Sequence, residues 1–110
     1  MITTHVLDTA LGRPGPAIAI DLERNDDGLW ELIGAGATDD DGRLRTLTAG
    51  PVAPGTYRLR FHTAAYFAAR HGGAGFFPVV EIQFTIADGE AHYHVPLLLS
   101  PFGYSTYRGS

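Results

Sequence analysis

The chain closes on Tyr107-Arg108-Gly109-Ser110, which gathers a phenol, a guanidinium, a hydroxyl and a terminal carboxylate within four residues. Chain ends are usually frayed and carry little meaning. A terminus so rich in donors and acceptors, following the apolar run Val95-Pro-Leu-Leu-Leu99, is expected to dock into a site. Upstream, His92 and His94 stand at i, i+2, and on a strand that spacing puts both imidazoles on one face. His5 near the amino terminus and Arg43 after an acidic turn complete the candidates. Imidazole has an ordinary pKa near 6.5 and moves protons near neutrality. A guanidinium offers a planar five-donor fork that matches paired acceptor oxygens, although Arg43 by itself reads first as a surface charge at a strand start. Such groups together can take a proton from water and donate to a developing oxyanion, which suits general acid–base chemistry. Tyr107 and the hydroxyl or carboxylate of Ser110 complete the hydrogen bonding. There is no Gly-x-Ser-x-Gly elbow to supply a nucleophile, so direct attack by water is expected.

Each candidate has a plainer reading. A lone strand histidine is most often a surface residue, and His92 is expected to support the site or face solvent rather than act directly. His62 and His71 lie in ordinary contexts and are expected to be bystanders. His92-x-His94 is also half of a zinc site. With no cysteine and no His-Glu-x-x-His pattern to complete it, neither metal nor other cofactor is expected. Asp39-Asp-Asp-Gly42 lacks the alternating oxygen spacing of a calcium loop and reads as a solvated turn. Gly72, Gly73 and Gly75 lack the strand and Lys-Ser/Thr context of a phosphate loop.

The elements that must position these residues are strands. Apolar positions alternate with period two, and turn signals recur about every ten residues, as in a β-sandwich or barrel. Strands are expected over Thr3–Leu7, Ala17–Arg24, Leu29–Ala37, Leu44–Leu47, Thr56–Thr63, Val79–Ala87, His92–Leu99 and Tyr104–Tyr107. Asn25-Asp-Asp-Gly28 marks a hairpin. A second hairpin is expected across Asp88-Gly89-Glu90, and Leu11–Pro16 reads as an irregular turn cluster. Ala64–Arg70 is the one helix candidate. If Val95, Leu97 and Leu99 face the core, His94 faces outward. A flat sheet face encloses no small molecule alone, so a second copy packed on it would complete a cleft.

At 110 residues the chain has the size of one domain, and it carries no cysteine for disulfides or thiol chemistry. Its net charge of −4 argues against nucleic acid or an anionic membrane as partner. No secretory leader or membrane-spanning run is visible, so a cytoplasmic protein is expected.

Three segments carry a resemblance: Thr4-His-Val-Leu-Asp-Thr-Ala-Leu-Gly-Arg-Pro14, Asp41-Gly-Arg43, and His92-Tyr-His-Val-Pro-Leu-Leu-Leu-Ser-Pro101 with the terminal Tyr107-Arg-Gly-Ser110. Ala53–Phe61 and Ala65-Tyr-Phe67 also fit. The chain resembles the transthyretin-related proteins, specifically the 5-hydroxyisourate hydrolases of urate breakdown. The terminal tetrapeptide is the specific part, since the hormone carrier transthyretin lacks it. The resemblance implies an all-β, transthyretin-like sandwich of two four-stranded sheets with one short helix, spanning residues 1–110 as a single domain. It implies a homotetramer with active sites where two dimers meet. It places catalytic roles on His5, Arg43 and His94, and substrate binding on the tail through Tyr107, Arg108 and Ser110. The implied reaction opens 5-hydroxyisourate to 2-oxo-4-hydroxy-4-carboxy-5-ureidoimidazoline. The rival from another class is a carrier that holds a small molecule in the same cleft without turnover. A carrier wants an apolar channel, which histidines and an arginine line poorly.

Overall fold

The computed structural model describes residues 1–110. Its strands are β1 (Ile2–Asp8), β2 (Arg13–Pro14), β3 (Ala19–Asp26), β4 (Leu29–Ala37), β5 (Arg43–Leu44), β6 (Gly55–His62), β7 (Val80–Ile86), β8 (Tyr93–Ser100) and β9 (Gly103–Thr106), with one helix, α1 (Thr63–Arg70). One sheet runs β4-β3-β6-β7 and the other β2-β1-β8-β9, with β5 also on β1. The short strands β2 and β5 share one edge of β1. The first pairs Leu7 and Asp8, the second Thr4 and His5. The second sheet therefore has five strands in four lanes, a small departure from the expected four-and-four. Helix α1 follows directly on β6.

Period-two alternation is what holds the layers together. On β1, Ile2, Thr4, Val6 and Asp8 point inward with at most 1 % exposure. On β8 the inward set is Tyr93, Val95, Leu97 and Leu99. Both meet Ile20, Leu22, Tyr57, Leu59, Phe61 and Ile82 of the facing sheet in one core cluster. Burying a side chain of this kind contributes roughly 1.5–3 kcal/mol before chain entropy is charged against it.

Three expectations need correction, the first being Leu44–Leu47, where only Arg43–Leu44 forms a strand. Leu11–Pro16 is not wholly irregular, because Arg13 and Pro14 pair with Asp8 and Leu7. The segment spanning Asp88–Glu90 is not a hairpin turn. Strand β7 pairs with β6 in one sheet, while β8 crosses to the other sheet and lies parallel to β1. A short loop and two alternating strands fit an arch between sheets as well as a hairpin, since either buries the same faces. Here the Asp88 N–H donates to Tyr93 Oη at 3.1 Å and the Glu90 N–H to Asp88 Oδ1 at 3.0 Å, which ties the arch to the first residue of β8. The Asn25–Gly28 hairpin forms as expected. Asp27 and Gly28 take positive φ (53° and 88°), and Asn25 Oδ1 accepts the Gly28 N–H at 3.0 Å. The only helix is eight residues, and no helix is long and apolar enough to cross a membrane.

Candidate active site

The outward face of the β5-β1-β8 lanes collects the candidate residues by register alone. Thr3 lies opposite His94, and His5 lies opposite Pro96 on one side and Arg43 on the other. Because Ile2, Thr4 and Val6 point inward, Thr3 and His5 must point outward. Directly paired residues share a face, so Arg43 joins them.

Arg43 is delivered by the acidic turn. Asp39 Oδ1 accepts the N–H groups of Asp41 and Arg43, both at 2.9 Å. The Arg43 amide, more than any other neighbour, holds the Asp39 carboxyl below its ordinary pKa. Gly42 is needed at a left-handed φ of 74°, and it packs against the Val6 carbonyl where a side chain has no room. The Asp-Gly-Arg segment thus reads as a bracket that fixes Arg43 beside His5.

The tail supplies the other wall. The Gly109 N–H donates to the His94 carbonyl at 2.8 Å, forming an isolated bridge along the free stretch of β8. A Cβ on Gly109 would stand 2.6 Å from His94 Cδ2 and 3.3 Å from Pro96 Cγ, so only glycine lets the tail lie flat on the imidazole. Beyond it, Ser110 joins Met1, Thr3, Thr4, Arg43, Arg45, His92 and His94 around a cleft of about 320 Å³. That is the low end of the size range for small-molecule sites. Met1 is its one apolar member.

Thr3 Oγ1 lies 2.7 Å from His92 Nε2 and 2.8 Å from His94 Nδ1, so one hydroxyl bridges both rings. The rings cover it, leaving Thr3 only 5 % exposed although it faces outward. His94 is half-buried. Burial foremost, then electrostatic repulsion from His92, Arg43, His5 and Arg45, pushes its pKa below the ordinary histidine value. It therefore stands neutral at neutral pH, the form a base requires. No three His, Asp or Glu side chains gather as a metal-ligand set.

The four tail residues do not share one environment. Tyr107 and Arg108 line a separate groove of about 310 Å³ with Ile82, Phe84, Tyr93 and Val95. There the Arg108 guanidinium sits 4.6 Å above the Tyr93 ring, a cation–π contact that pins the tail. Within one chain the structure thus brings Ser110, but not Tyr107 or Arg108, to the histidine cleft. His5 stands one row away beside Arg43 and does not line the cleft itself. Sequence reasoning passed over Arg45 and Thr3. Both carry a signal, since each stands two residues from a chosen one, Arg43 and His5, and so shares its face.

The remaining histidines lie elsewhere. His62 pairs with Asp21 at 2.9 Å in the other sheet. His71 is more than a bystander to the fold. Its Nε2 and the Tyr66 hydroxyl both donate to Asp8 Oδ2, at 2.7 and 2.6 Å, tying α1 to the end of β1.

Known proteins resemble this chain over nearly its whole length. A 5-hydroxyisourate hydrolase of Rhizobium meliloti is 49% identical over 99% of this chain and 95% of its own length. The solved structure of Klebsiella pneumoniae 5-hydroxyisourate hydrolase superposes with a TM-score of 0.85 at 38% identity, over 99% of this chain and 98% of that one. The transthyretin of Sparus aurata superposes as well, with a TM-score of 0.87 at 34% identity over 98% and 95% of the two chains. Fold alone therefore does not separate enzyme from carrier. The model of the HIUase/Transthyretin family matches residues 2–109. With that match covering nearly the whole chain and the strand order, histidine face and docked tail all in place, this chain belongs to the HIUase/Transthyretin family.

Proposed function

We propose that this chain hydrolyses 5-hydroxyisourate to 2-oxo-4-hydroxy-4-carboxy-5-ureidoimidazoline by direct attack of water, without a cofactor. His5, Arg43 and His94 are the catalytic residues. The carrying observation is the docking of Gly109–Ser110 on the His94 strand, which walls one side of a polar cleft around a neutral imidazole and two arginines. In this reading His94 takes a proton from water as the oxygen bonds to a ring carbonyl carbon. Arg43 donates to the oxygen that gains charge. The carbon–nitrogen bond then breaks, and the departing nitrogen receives a proton from His5, which stands beside Arg43 on the same face. Fixed donors of this kind contribute on the order of 3–4 kcal/mol each in comparable oxyanion sites.

Ser110 binds substrate through its hydroxyl. Tyr107 and Arg108 serve the substrate by anchoring the tail and by facing the neighbouring subunit. The cleft is open on its outer side, which supports a homotetramer in which a second copy closes it. Residues 1–110 act as a single domain, and the cytoplasm is its place of work. A lining with one apolar residue in eight speaks against a carrier of lipophilic ligands. The test is the ultraviolet decay of 5-hydroxyisourate, generated in situ from urate and urate oxidase. Catalytic amounts of this protein should accelerate it. An unchanged decay in the presence of folded protein, with the ligand merely bound, would favour the carrier.

A further inference from the structure

The Thr3 hydroxyl has one proton to give and two imidazole nitrogens to serve, and this has a consequence for both rings. Thr3 Oγ1 lies within hydrogen-bond distance of His92 Nε2 and His94 Nδ1. A hydroxyl that donates to one ring must accept from the other. The two neutral imidazoles therefore cannot choose their tautomers independently. Either His94 carries its proton on Nδ1 and Thr3 donates to His92 Nε2, or His92 donates from Nε2 and Thr3 donates to His94 Nδ1. In the first arrangement His94 Nε2 is a bare lone pair; in the second it is a donor and useless as a base.

We infer that Thr3 is a positioning residue that, by passing its single proton to His92, holds the His94 proton on Nδ1 and leaves Nε2 free to accept from water. This gives His92 a part as well. It is the acceptor that draws the Thr3 proton away from His94. The choice of arrangement rests on the hydrolase reading, in which His94 is the base; the coupling of the two rings does not. The geometry is well suited to the task, because Thr3 is buried and is fixed opposite His94 by seven paired rows of β1 and β8. The same logic governs other histidine bases, where the hydrogen bond made by one ring nitrogen decides which proton the other carries.

The experiment reads tautomers directly. Long-range proton–nitrogen NMR of the selectively labelled intact protein, at a pH where His94 is neutral, should show His94 protonated on Nδ1 and His92 on Nδ1. Thr3→Val keeps shape and β-branching but removes the bridge. It should give a mixed tautomer at His94 and lower kcat roughly ten- to a hundred-fold, the scale of a misaimed catalytic group, with KM little changed. Thr3→Ser restores the hydroxyl and should restore both readouts. His92→Phe, which leaves Thr3 no second acceptor, should shift His94 toward the Nε2 proton. A His94 proton on Nε2 in the unaltered protein, or a tautomer and kcat indifferent to Thr3→Val in a folded protein, overturns the inference. Absence of hydrolysis by the unaltered protein would instead sink the hydrolase reading, while the NMR still reports on the coupling.

Discussion

Gly109→Ala adds one methyl group at the place where the tail lies on the imidazole. The new Cβ would meet His94 Cδ2 at 2.6 Å, His94 Cγ at 3.3 Å and Pro96 Cγ at 3.3 Å. Ordinary carbon contacts sit near 3.5–4.0 Å, so roughly 1 Å of movement is forced on one partner. If the ring yields, it leaves its 2.8 Å contact with Thr3 Oγ1. If the tail yields, the 2.8 Å bond from the Gly109 N–H to the His94 carbonyl breaks and Ser110 leaves the cleft. Either way the stability cost is one hydrogen bond, about 1 kcal/mol. The functional cost is larger, because a 1 Å misplacement of a reacting group costs on the order of 10²-fold in rate. The expected result is kcat/KM for 5-hydroxyisourate down about a hundred-fold, with a Tm change of only several °C. Gly103→Ala is the matched control in the same sheet, since its added Cβ meets nothing nearer than Ser100 Oγ at 3.8 Å. A Gly109→Ala protein with full activity would refute the claim that the tail and His94 form one site.

Three further outcomes follow, two at His94 and one at Asp8. The lowered pKa of His94, caused by burial first and then by His92, Arg43, His5 and Arg45, keeps its base form populated below the ordinary value of 6.5. The acid limb of the kcat/KM–pH profile should therefore fall below pH 6.5, and a limb above it would contradict the assignment. The stability sign is the same: below pH 6.5 the unfolded chain takes a proton at His94 before the folded one does. This contribution is full above pH 6.5 and is lost as pH falls toward the folded value, as urea titrations across that window should show. Asp8, 1 % exposed, accepts from Tyr66, His71, Ala10 and Leu11. Asp8→Asn turns one acceptor oxygen into a donor facing donors. It should cost about 3 kcal/mol and lower Tm by more than about 10 °C in calorimetry; an unchanged Tm would mean the tie between β1 and α1 bears no weight.

Much of this was legible in the chain because alternation is a local property. Leu29–Ala37 has the bounds read from its pattern, and the other main strands move by one or two residues at their ends. The outward aim of His94 followed from Val95, Leu97 and Leu99 facing in, and the structure has all three buried. What sequence could not carry was the partner of each strand. The arch at Asp88–Glu90 reads as a hairpin because loop length and alternation do not say which sheet a strand joins. A two-residue strand such as β2 has no period to detect, and Leu44–Leu47 reads as a longer strand than the pair Arg43–Leu44 that forms. Arg45 and Thr3 escaped because each needed a strand neighbour to become interesting. The split of the tail, with Ser110 in the histidine cleft and Tyr107 and Arg108 in a groove beside Tyr93, depends on side-chain directions that a tetrapeptide motif does not encode.

The central claim is that His94 is the base of a hydrolytic cleft. His94→Asn tests it most directly, because the amide can still hydrogen-bond Thr3 yet cannot take a proton. Ultraviolet decay of 5-hydroxyisourate should be accelerated by the unaltered protein, and the variant should lose about 10²–10⁴-fold of that rate, the usual worth of a positioned acid–base group. Circular dichroism and oligomeric state should stay as they were. A His94→Asn protein that hydrolyses 5-hydroxyisourate at the unaltered rate would contradict the account.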